Sequence, residues 1–321
     1  MTRQKGLALV LVLWVLSLLT IMAGSFTLSM RREASITAGI KNNAQAMAVA
    51  ESGIAMAEMM LLTADPDKRW RADGSIYEIA ATDAKVRVRL LSETGKIDIN
   101  KADQALLQGL MTYVPGDAEQ KSRLVGAILD WRDADDLVHS NGAEKKEYQD
   151  AGLSYQPRNK PFQSIEELQM VLGMNKAVFL QIEPLITVHS GQPTVSMQQA
   201  AKEVLQVIPG LDASLIDSYM TARLESAINN LPAPAFPSGS GQPVTAGQEN
   251  VLTLVSEALH NDESSAVIRV VIKQADSTMM PAYAPFQILK WQFVTGNDLS
   301  LFTGAMSELL VKRYNEPELN N

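Results

Sequence analysis

The feature that most constrains this chain is an apolar stretch without charge, residues 7–30. At a rise of about 1.5 Å per residue, a helix of this length exceeds the roughly 30 Å hydrocarbon core of a bilayer. Ser17, Thr20 and Ser25 are too few to form the polar stripe that a helix in a soluble core keeps. The stretch therefore predicts a transmembrane helix.

The helical pattern continues beyond this stretch. Small or apolar residues recur at helical spacing after Met30, for example at Ile36, Ile40 and Ala44, and no proline occurs before Pro66. A secretory signal peptide has a shorter apolar region that ends at a small-residue cleavage site. We therefore expect one helix of more than fifty residues.

Composition and charge exclude several classes of function. The net charge of -8 opposes binding to phosphate backbones, so we expect no nucleic acid as a partner. The absence of cysteine excludes disulfides, thiolate nucleophiles and cysteine-ligated zinc. No Gly-x-Ser-x-Gly elbow is present, and Gly95-Lys96 lacks the hydroxyl residue of a phosphate-binding loop. We therefore predict that the protein is not an enzyme.

The part after the long helix combines strands and helices. Alternation at 84–91 predicts a strand with one polar face, and residues 100 to about 228 show helical periodicity, with Asp212 as a helix N-cap. Strand patterns return at Val251–Val255, Ala266–Lys273 and Phe286–Phe293. We predict an α+β fold in which the stem helix packs on a small antiparallel sheet that a large all-α insertion interrupts.

The insertion contains helix-turn-helix units, one of them at Pro209-Gly210-Leu211, that resemble helix-hairpin-helix or SAM-like folds. Such units often bind nucleic-acid phosphate, but Asp212 places an acid where a phosphate site needs a base. A helical packing unit without a ligand is the favoured interpretation.

One acidic segment stands out. Asp130, Asp133, Asp135 and Asp136 fall within seven residues at the end of a predicted helix, and Glu144, Glu147 and Asp150 follow the turn at Asn141-Gly142. Carboxylates at this end of a helix oppose its dipole, so a bound cation would offset their repulsion. The segment is not an EF-hand, because Val138 stands where that loop needs glycine. A solvated acidic loop is the alternative.

The leader of residues 1–6 is basic and ends in Gly6 directly before the apolar helix. It resembles the substrate site of prepilin peptidases, which cut after this glycine and methylate the new amine. Leu7 would then be the first mature residue, and Leu11 would occupy the fifth position, where most pilins and pseudopilins carry glutamate.

In this missing glutamate and in four further segments, the chain resembles the K-class minor pseudopilins of type II secretion, the general secretion pathway K family. The segments are 92–100, 130–135, 141–144 and 155–168. Some family members contain cysteines that this chain lacks. Their absence excludes a shared disulfide and leaves the rest of the resemblance unaffected.

The resemblance implies a tip subunit that initiates or caps the pseudopilus driving export of exoproteins across the outer membrane. Expected partners are the I, J and H classes of minor pseudopilin, the major pseudopilin and prepilin peptidase. The chain would cross the inner membrane once, with its leader in the cytoplasm and its body in the periplasm. It would bind calcium through Asp133, Asp135 and Glu144, with Glu147 as a fourth ligand. The alternative is a membrane-tethered binding protein whose helical domain captures exoprotein or DNA.

The expected organisation has six parts. They are the leader (1–6), the transmembrane segment (7–30), the stem helix with the first part of the pseudopilin domain (31–99), the helical insertion (100–230), a flexible linker (231–248), and the remaining strands with the C-terminal tail (249–321).

Overall fold

The computed structural model of the chain describes residues 7–81, 83–237, 251–275, 285–294 and 300–315. Its first element is helix α1, Leu7–Leu62, which has 56 residues and confirms the prediction of one long helix. Its N-terminal half is exposed to solvent and contains a segment with a mean hydropathy of 2.4, long and apolar enough to cross a membrane. An apolar surface of this size is unstable in water, and its length and composition fit the transmembrane helix that the sequence predicts at 7–30.

A six-stranded sheet follows, in the order β7-β6-β5-β2-β1-β8. Its strands are β1 (Asp73–Ala80), β2 (Ala84–Ser92), β5 (Val251–His260), β6 (Ser265–Gln274), β7 (Phe286–Val294) and β8 (Leu310–Asn315). Neighbouring strands are antiparallel except β8, which pairs parallel with β1 at one edge. The structure thus confirms the predicted α+β fold, and adds a parallel edge strand to it.

The C-terminal half of α1 packs on one face of this sheet. Val86, Val88 and Leu90 of β2 alternate toward the helix and are buried against Ala50 and Ala57 of α1. The arginines between them lie on the opposite face of the sheet, as the period of two requires. The central strands are therefore covered by the stem helix on one side only.

The sequence analysis missed two strands of the six-stranded sheet, β1 and β8, and the two-residue strands at 97–98 and 186–187. It took the strand at 84–91 as the first, whereas β1 precedes it, and it did not find β8. Nearly every residue of β1 is buried, on both faces, so β1 lacks the polar and apolar alternation that identifies a half-exposed strand. Strand β8 has only six residues, and Lys312 and Arg313 interrupt its apolar pattern.

The helical insertion lies between the adjacent strands β2 and β5. It contains α2 (Gln104–Thr112), α3 (Ala118–Arg132), α4 (Lys145–Asp150), α5 (Lys176–Ile182), α6 (Lys202–Val207) and α7 (Ala213–Ile228), besides the two-residue strands β3 (Ile97–Asp98) and β4 (Ile186–Thr187). Leu107, Ile128 and Trp131 belong to a core that is separate from the core between α1 and the sheet. Asp212 caps α7 as predicted, by accepting hydrogen bonds from the Ser214 and Leu215 amides.

The start of the predicted flexible linker is packed. Phe236 is buried, and its ring meets that of Tyr219 edge to face with 4.7 Å between the centroids. Residues 231–237 are therefore attached to α7, because aromatic burial offsets the cost of ordering the chain. Positions 238–248 of the linker lie outside the described residues, as does the tail beyond 315.

A buried carboxylate joins the insertion to the sheet. Glu93, in a 3-10 turn directly after β2, accepts hydrogen bonds from Lys96 Nζ (2.6 Å), Thr187 Oγ1 of β4 (2.5 Å) and Thr253 Oγ1 of β5 (2.6 Å). Burial alone would raise the pKa of Glu93, but the Lys96 charge and these hydrogen bonds outweigh it and lower the pKa. Glu93 is thus held ionised at the point where three elements meet.

Gly53 fixes how closely α1 approaches the sheet. A Cβ atom at this position would overlap Ser256 Oγ and lie 2.7 Å from Val86 Cγ1. Gly53→Ala should therefore destabilise the protein by about 1–3 kcal/mol, since the helix or the strands must shift. The measurement is denaturant unfolding of the full-length protein in detergent, followed by tryptophan fluorescence.

The matched control is Gly39→Ala in the same helix, where an added Cβ has no atom within 4 Å. This variant should be neutral or stabilising by roughly 0.5–1 kcal/mol, because alanine favours the helix. Equal effects of the two substitutions would contradict the close approach at Gly53.

Candidate metal centre

The acidic segment forms a loop that folds back on its own helix. Helix α3 ends at Arg132, and the chain returns through a turn in which the Gly142 amide donates to the His139 carbonyl at 2.8 Å. A Cβ at Gly126 of α3 would lie 2.7 Å from Gly142 Cα, and a Cβ at Gly142 would overlap the Asp130 carboxylate. The two glycines therefore allow the loop to lie directly on α3.

Asp130 holds this loop in place. Its buried carboxylate accepts hydrogen bonds from the His139 amide (3.0 Å), from His139 Nδ1 (2.5 Å) and from the Ala143 amide (2.6 Å). His139 Nδ1 also lies 3.3 Å from Asp133 Oδ2. Ligand atoms of Asp130, Asp133 and His139 lie within 4.8 Å of one another, which is close enough to share one metal ion.

Three buried oxygen atoms around this group lack a hydrogen-bond donor among the described residues. They are Asp133 Oδ1, Glu144 Oε1 and Asn159 Oδ1. The Asn159 amide nitrogen donates to the Asp135 carbonyl at 2.9 Å and to Asp136 Oδ1 at 2.8 Å, so the side chain has a defined orientation. Buried acceptors without donors cost about 1–3 kcal/mol each, and a hard cation removes that cost.

The electrostatics of the loop also favour a cation. The pKa of Glu144 is raised to about 7, first by burial and then by repulsion from Asp130 and Asp133. Burial likewise raises the pKa of Asp133, and repulsion from Asp135 adds to this effect. Repulsion between the carboxylates of this loop thus adds to the cost of their burial, and a bound cation would offset both.

The four predicted ligands lie in surroundings that differ from one another. Asp133 and Glu144 both contribute buried oxygens without donors, as described above. Asp135 is exposed, and its Oδ1 accepts from the Leu137 amide at 2.9 Å. Glu147 Oε2 accepts from the Glu144 amide at 2.9 Å and thereby caps α4. All four remain predicted ligands, with Asp133 and Glu144 in the most suitable surroundings.

Sequence reasoning missed Asn159 and His139, and it left Asp130 outside the ligand set. The signal for Asn159 was its place between Arg158 and Lys160 in a segment already singled out. Its φ of +51° marks a turn that directs the side chain toward the acidic loop. His139 gave no signal, because its contact with Asp130 depends on the fold of the loop.

The predicted processing site lies at the start of the chain. Gly6 falls outside the described residues, and Leu7 is the first residue of α1. Leu11 is an exposed residue of the same helix, 61% accessible in the isolated chain. Cleavage between Gly6 and Leu7 and methylation of Leu7 remain predictions.

Comparison with known proteins points to one family. The family model described as "Type II secretion system (T2SS), protein K" matches residues 84–191, which include β2, α3 and the acidic loop. The type II secretion system protein K of Klebsiella pneumoniae is 24% identical over 299 residues, covering 85% of this chain and 90% of that protein. The protein K of Aeromonas hydrophila is 26% identical, covering 57% of this chain and 63% of that protein.

A solved structure also matches the chain over most of its length. It is a chain of the GspK-GspI-GspJ complex from the type 2 secretion system of enterotoxigenic Escherichia coli, with a TM-score of 0.47, 15% identity, and coverage of 83% of this chain and 99% of that chain. The family model and the curated relatives agree with the resemblance found in the leader and in the acidic segment. By the family model over residues 84–191 and by the curated relatives, the chain is similar to type II secretion system protein K.

Proposed function

We propose that the chain is a structural subunit, not an enzyme, that leads the pseudopilus of a type II secretion system from its tip. The observation that carries this proposal is Leu11, which stands where most pseudopilins have glutamate. In this proposal α1 anchors the precursor in the inner membrane with the leader in the cytoplasm. The body lies in the periplasm and assembles with the I, J and H classes and the major pseudopilin.

The physical reason is the cost of an unpaired charge in lipid. A glutamate at the fifth mature position pairs with the terminal amine of the subunit ahead, and alone it would cost several kcal/mol in the membrane. A subunit with nothing ahead gains nothing from that carboxylate. Leu11 removes the charge and leaves the Leu7 amine available to the subunit behind.

The insertion supports the same position. It adds α2–α7 between two neighbouring strands and has its own core, so the domain is larger than the stem helix and the six-stranded sheet alone. A repeating helical stack needs the same spacing at every level. A large body at the end of the fibre does not interfere with that spacing.

Processing is the first test of this proposal. The mature protein should begin Leu-Ala-Leu-Val-Leu, and Gly6→Val should leave an uncleaved chain, because the peptidase recognises the glycine at the membrane edge. N-terminal sequencing of the protein from membranes measures this. Gly39→Val, a glycine in the exposed part of α1 with free space around it, should be cleaved normally.

Position in the fibre is the second test. Gold-labelled protein should mark one end of isolated pseudopili in electron micrographs. Label spaced along the shaft would overturn the tip position. A chain that never joins pseudopili and instead captures exoprotein or DNA would support the binding-protein alternative.

We further propose that the acidic loop binds calcium. Calcium takes six to eight oxygen ligands. Three unsatisfied buried oxygens and the neighbouring carboxylates supply oxygen ligands of the kind that calcium prefers. Asp133 and Glu144 would be the central ligands, and Asn159 Oδ1 would add a neutral one. Magnesium fits less well, because it demands a tighter octahedral shell.

Calcium should therefore raise the melting temperature of the full-length protein in detergent. At a hundredfold excess over the dissociation constant, the gain is about 2.7 kcal/mol of stability. Thermal unfolding at matched ionic strength, with calcium, magnesium or chelator, measures it. Asp133→Asn with Glu144→Gln should abolish the gain, whereas Glu119→Gln, an exposed carboxylate on α3, should retain it.

The calcium effect should also depend on pH. Because the folded-state pKa of Glu144 is raised to about 7, the calcium-free protein loses stability as pH rises from about 4.5 through 7. Calcium needs the ionised carboxylate, so its stabilising effect should be larger at pH 8 than at pH 5. Equal shifts with magnesium, or at both pH values, would contradict a calcium site built on Glu144.

A further inference from the structure

A cleft separate from the acidic loop lies between the sheet and the insertion. It has a volume of about 390 Å³ and lies between the start of β1, Arg89 of β2, helices α6 and α7, and residues 305–309. Its apolar walls include Met220, Leu224 and Leu309. Two arginines, one from each side of the junction, line it as well.

Arg89 contributes a cation without a counter-ion. Its Nε donates to the Gly74 carbonyl at 3.2 Å, and within the described part of the chain it forms no ion pair. Burial lowers the pKa of Arg89, and the attraction of Glu203 does not offset this effect. The remaining guanidinium N–H groups are therefore available to a ligand in the cleft.

Arg223 of α7 is the second cation and is 4% exposed. Its Nη1 donates to the carbonyls of Gln198 (3.1 Å) and Ala200 (2.7 Å), which fix the side chain without neutralising it. Arg223 and Arg89 both line the cleft. Two positive charges are thus held together at one junction, and no described carboxylate forms an ion pair with either.

Two of the four carboxylates that line the cleft form ion pairs. Asp73 pairs with Arg71 at 3.2 Å, and Asp217 pairs with Lys202 at 2.7 Å. Glu203 and Glu308 also line the cleft, and their negative charge disfavours a multiply charged ligand. The arrangement therefore favours a single carboxylate over a phosphate, because a guanidinium binds a carboxylate through two parallel hydrogen bonds.

We propose that this cleft binds a carboxylate attached to a short apolar group, with Arg89 and Arg223 as its anchors. The carboxylate would contact both guanidinium groups, and the apolar part would lie against Met220 and Leu224. Since one arginine belongs to the sheet and the other to the insertion, the ligand would also strengthen their junction. The proposal is independent of the tip position and of the calcium site.

The test is thermal unfolding of the full-length protein in detergent, with sodium butanoate replacing sodium chloride at constant ionic strength. The wild-type melting temperature should rise with butanoate and reach saturation, and phosphate should have less effect. Arg89→Met should weaken the apparent affinity at least tenfold. In chloride alone Arg89→Met should melt no lower than the wild type, because a hydrophobic residue replaces a half-buried cation that has no ion-pair partner among the described residues.

Arg123→Gln is the matched control, since Arg123 is exposed on α3 and does not line the cleft. It should keep the full butanoate response. If Arg89→Met does not fold, Arg89→Lys replaces it, and it should bind more weakly than the wild type because lysine lacks the two-pronged geometry. No saturable response in the wild type, or an unchanged response in the Arg89 variant, would overturn the proposal.

A separate arm of the experiment identifies the source of the carboxylate. The dipeptide Ala-Leu is compared with its C-terminal amide under the same conditions. Stabilisation by the dipeptide acid at tenfold lower concentration than butanoate would identify a polypeptide C-terminus as the source. Stabilisation at equal or higher concentration would identify a small free acid, and stabilisation by the amide as well as by the acid would contradict a carboxylate site.

Discussion

The carboxylate of Glu93 lies at the junction of the sheet and the insertion, where it receives hydrogen bonds from Lys96, Thr187 and Thr253. A buried ion that loses one partner costs about 3–5 kcal/mol, so these donors must stay together for the fold to persist. The segment before the insertion and the strands on either side of it are thereby fixed to one point. Two outer ion pairs, Arg269 with Glu183 and Lys290 with Glu166, hold the insertion to the same face of the sheet.

This junction explains how a chain with separate hydrophobic cores acts as one body. The stem helix approaches the sheet closely at Gly53 and covers one face, while the insertion covers part of the other. The acidic loop lies inside the insertion, on α3, and the arginine-lined cleft lies at the junction itself. A force applied to α1 would reach the insertion through the sheet, which the proposed position at the end of the pseudopilus requires.

The sequence predicted elements whose patterns are local. The long helix, the strand at 84–91 and the strands after 250 follow from uncharged length and from alternation. Strand β1 was missed because both of its faces are buried, and the roles of Asp130, His139 and Asn159 depend on contacts that only the folded loop creates. The charge cluster at 130–136 was visible in the sequence, but which of its oxygens would lack donors was not. Glu93 was visible only as part of a segment that resembled the family.

The measurement that tests this account most directly is hydrogen exchange during urea unfolding of wild type and Glu93→Gln, read separately in α3 of the insertion and in β5 of the sheet. At pH 7 the two wild-type transitions should coincide, because Glu93 couples both parts. In Glu93→Gln they should separate and shift to lower urea. The pKa of Glu93 is lowered in the folded state, so its contribution is complete above the unfolded-state pKa and is lost as pH falls through the folded-state value. The urea transitions of the wild type should therefore approach those of Glu93→Gln only at acidic pH. Coincident transitions with an unchanged midpoint in Glu93→Gln at pH 7 would contradict the account.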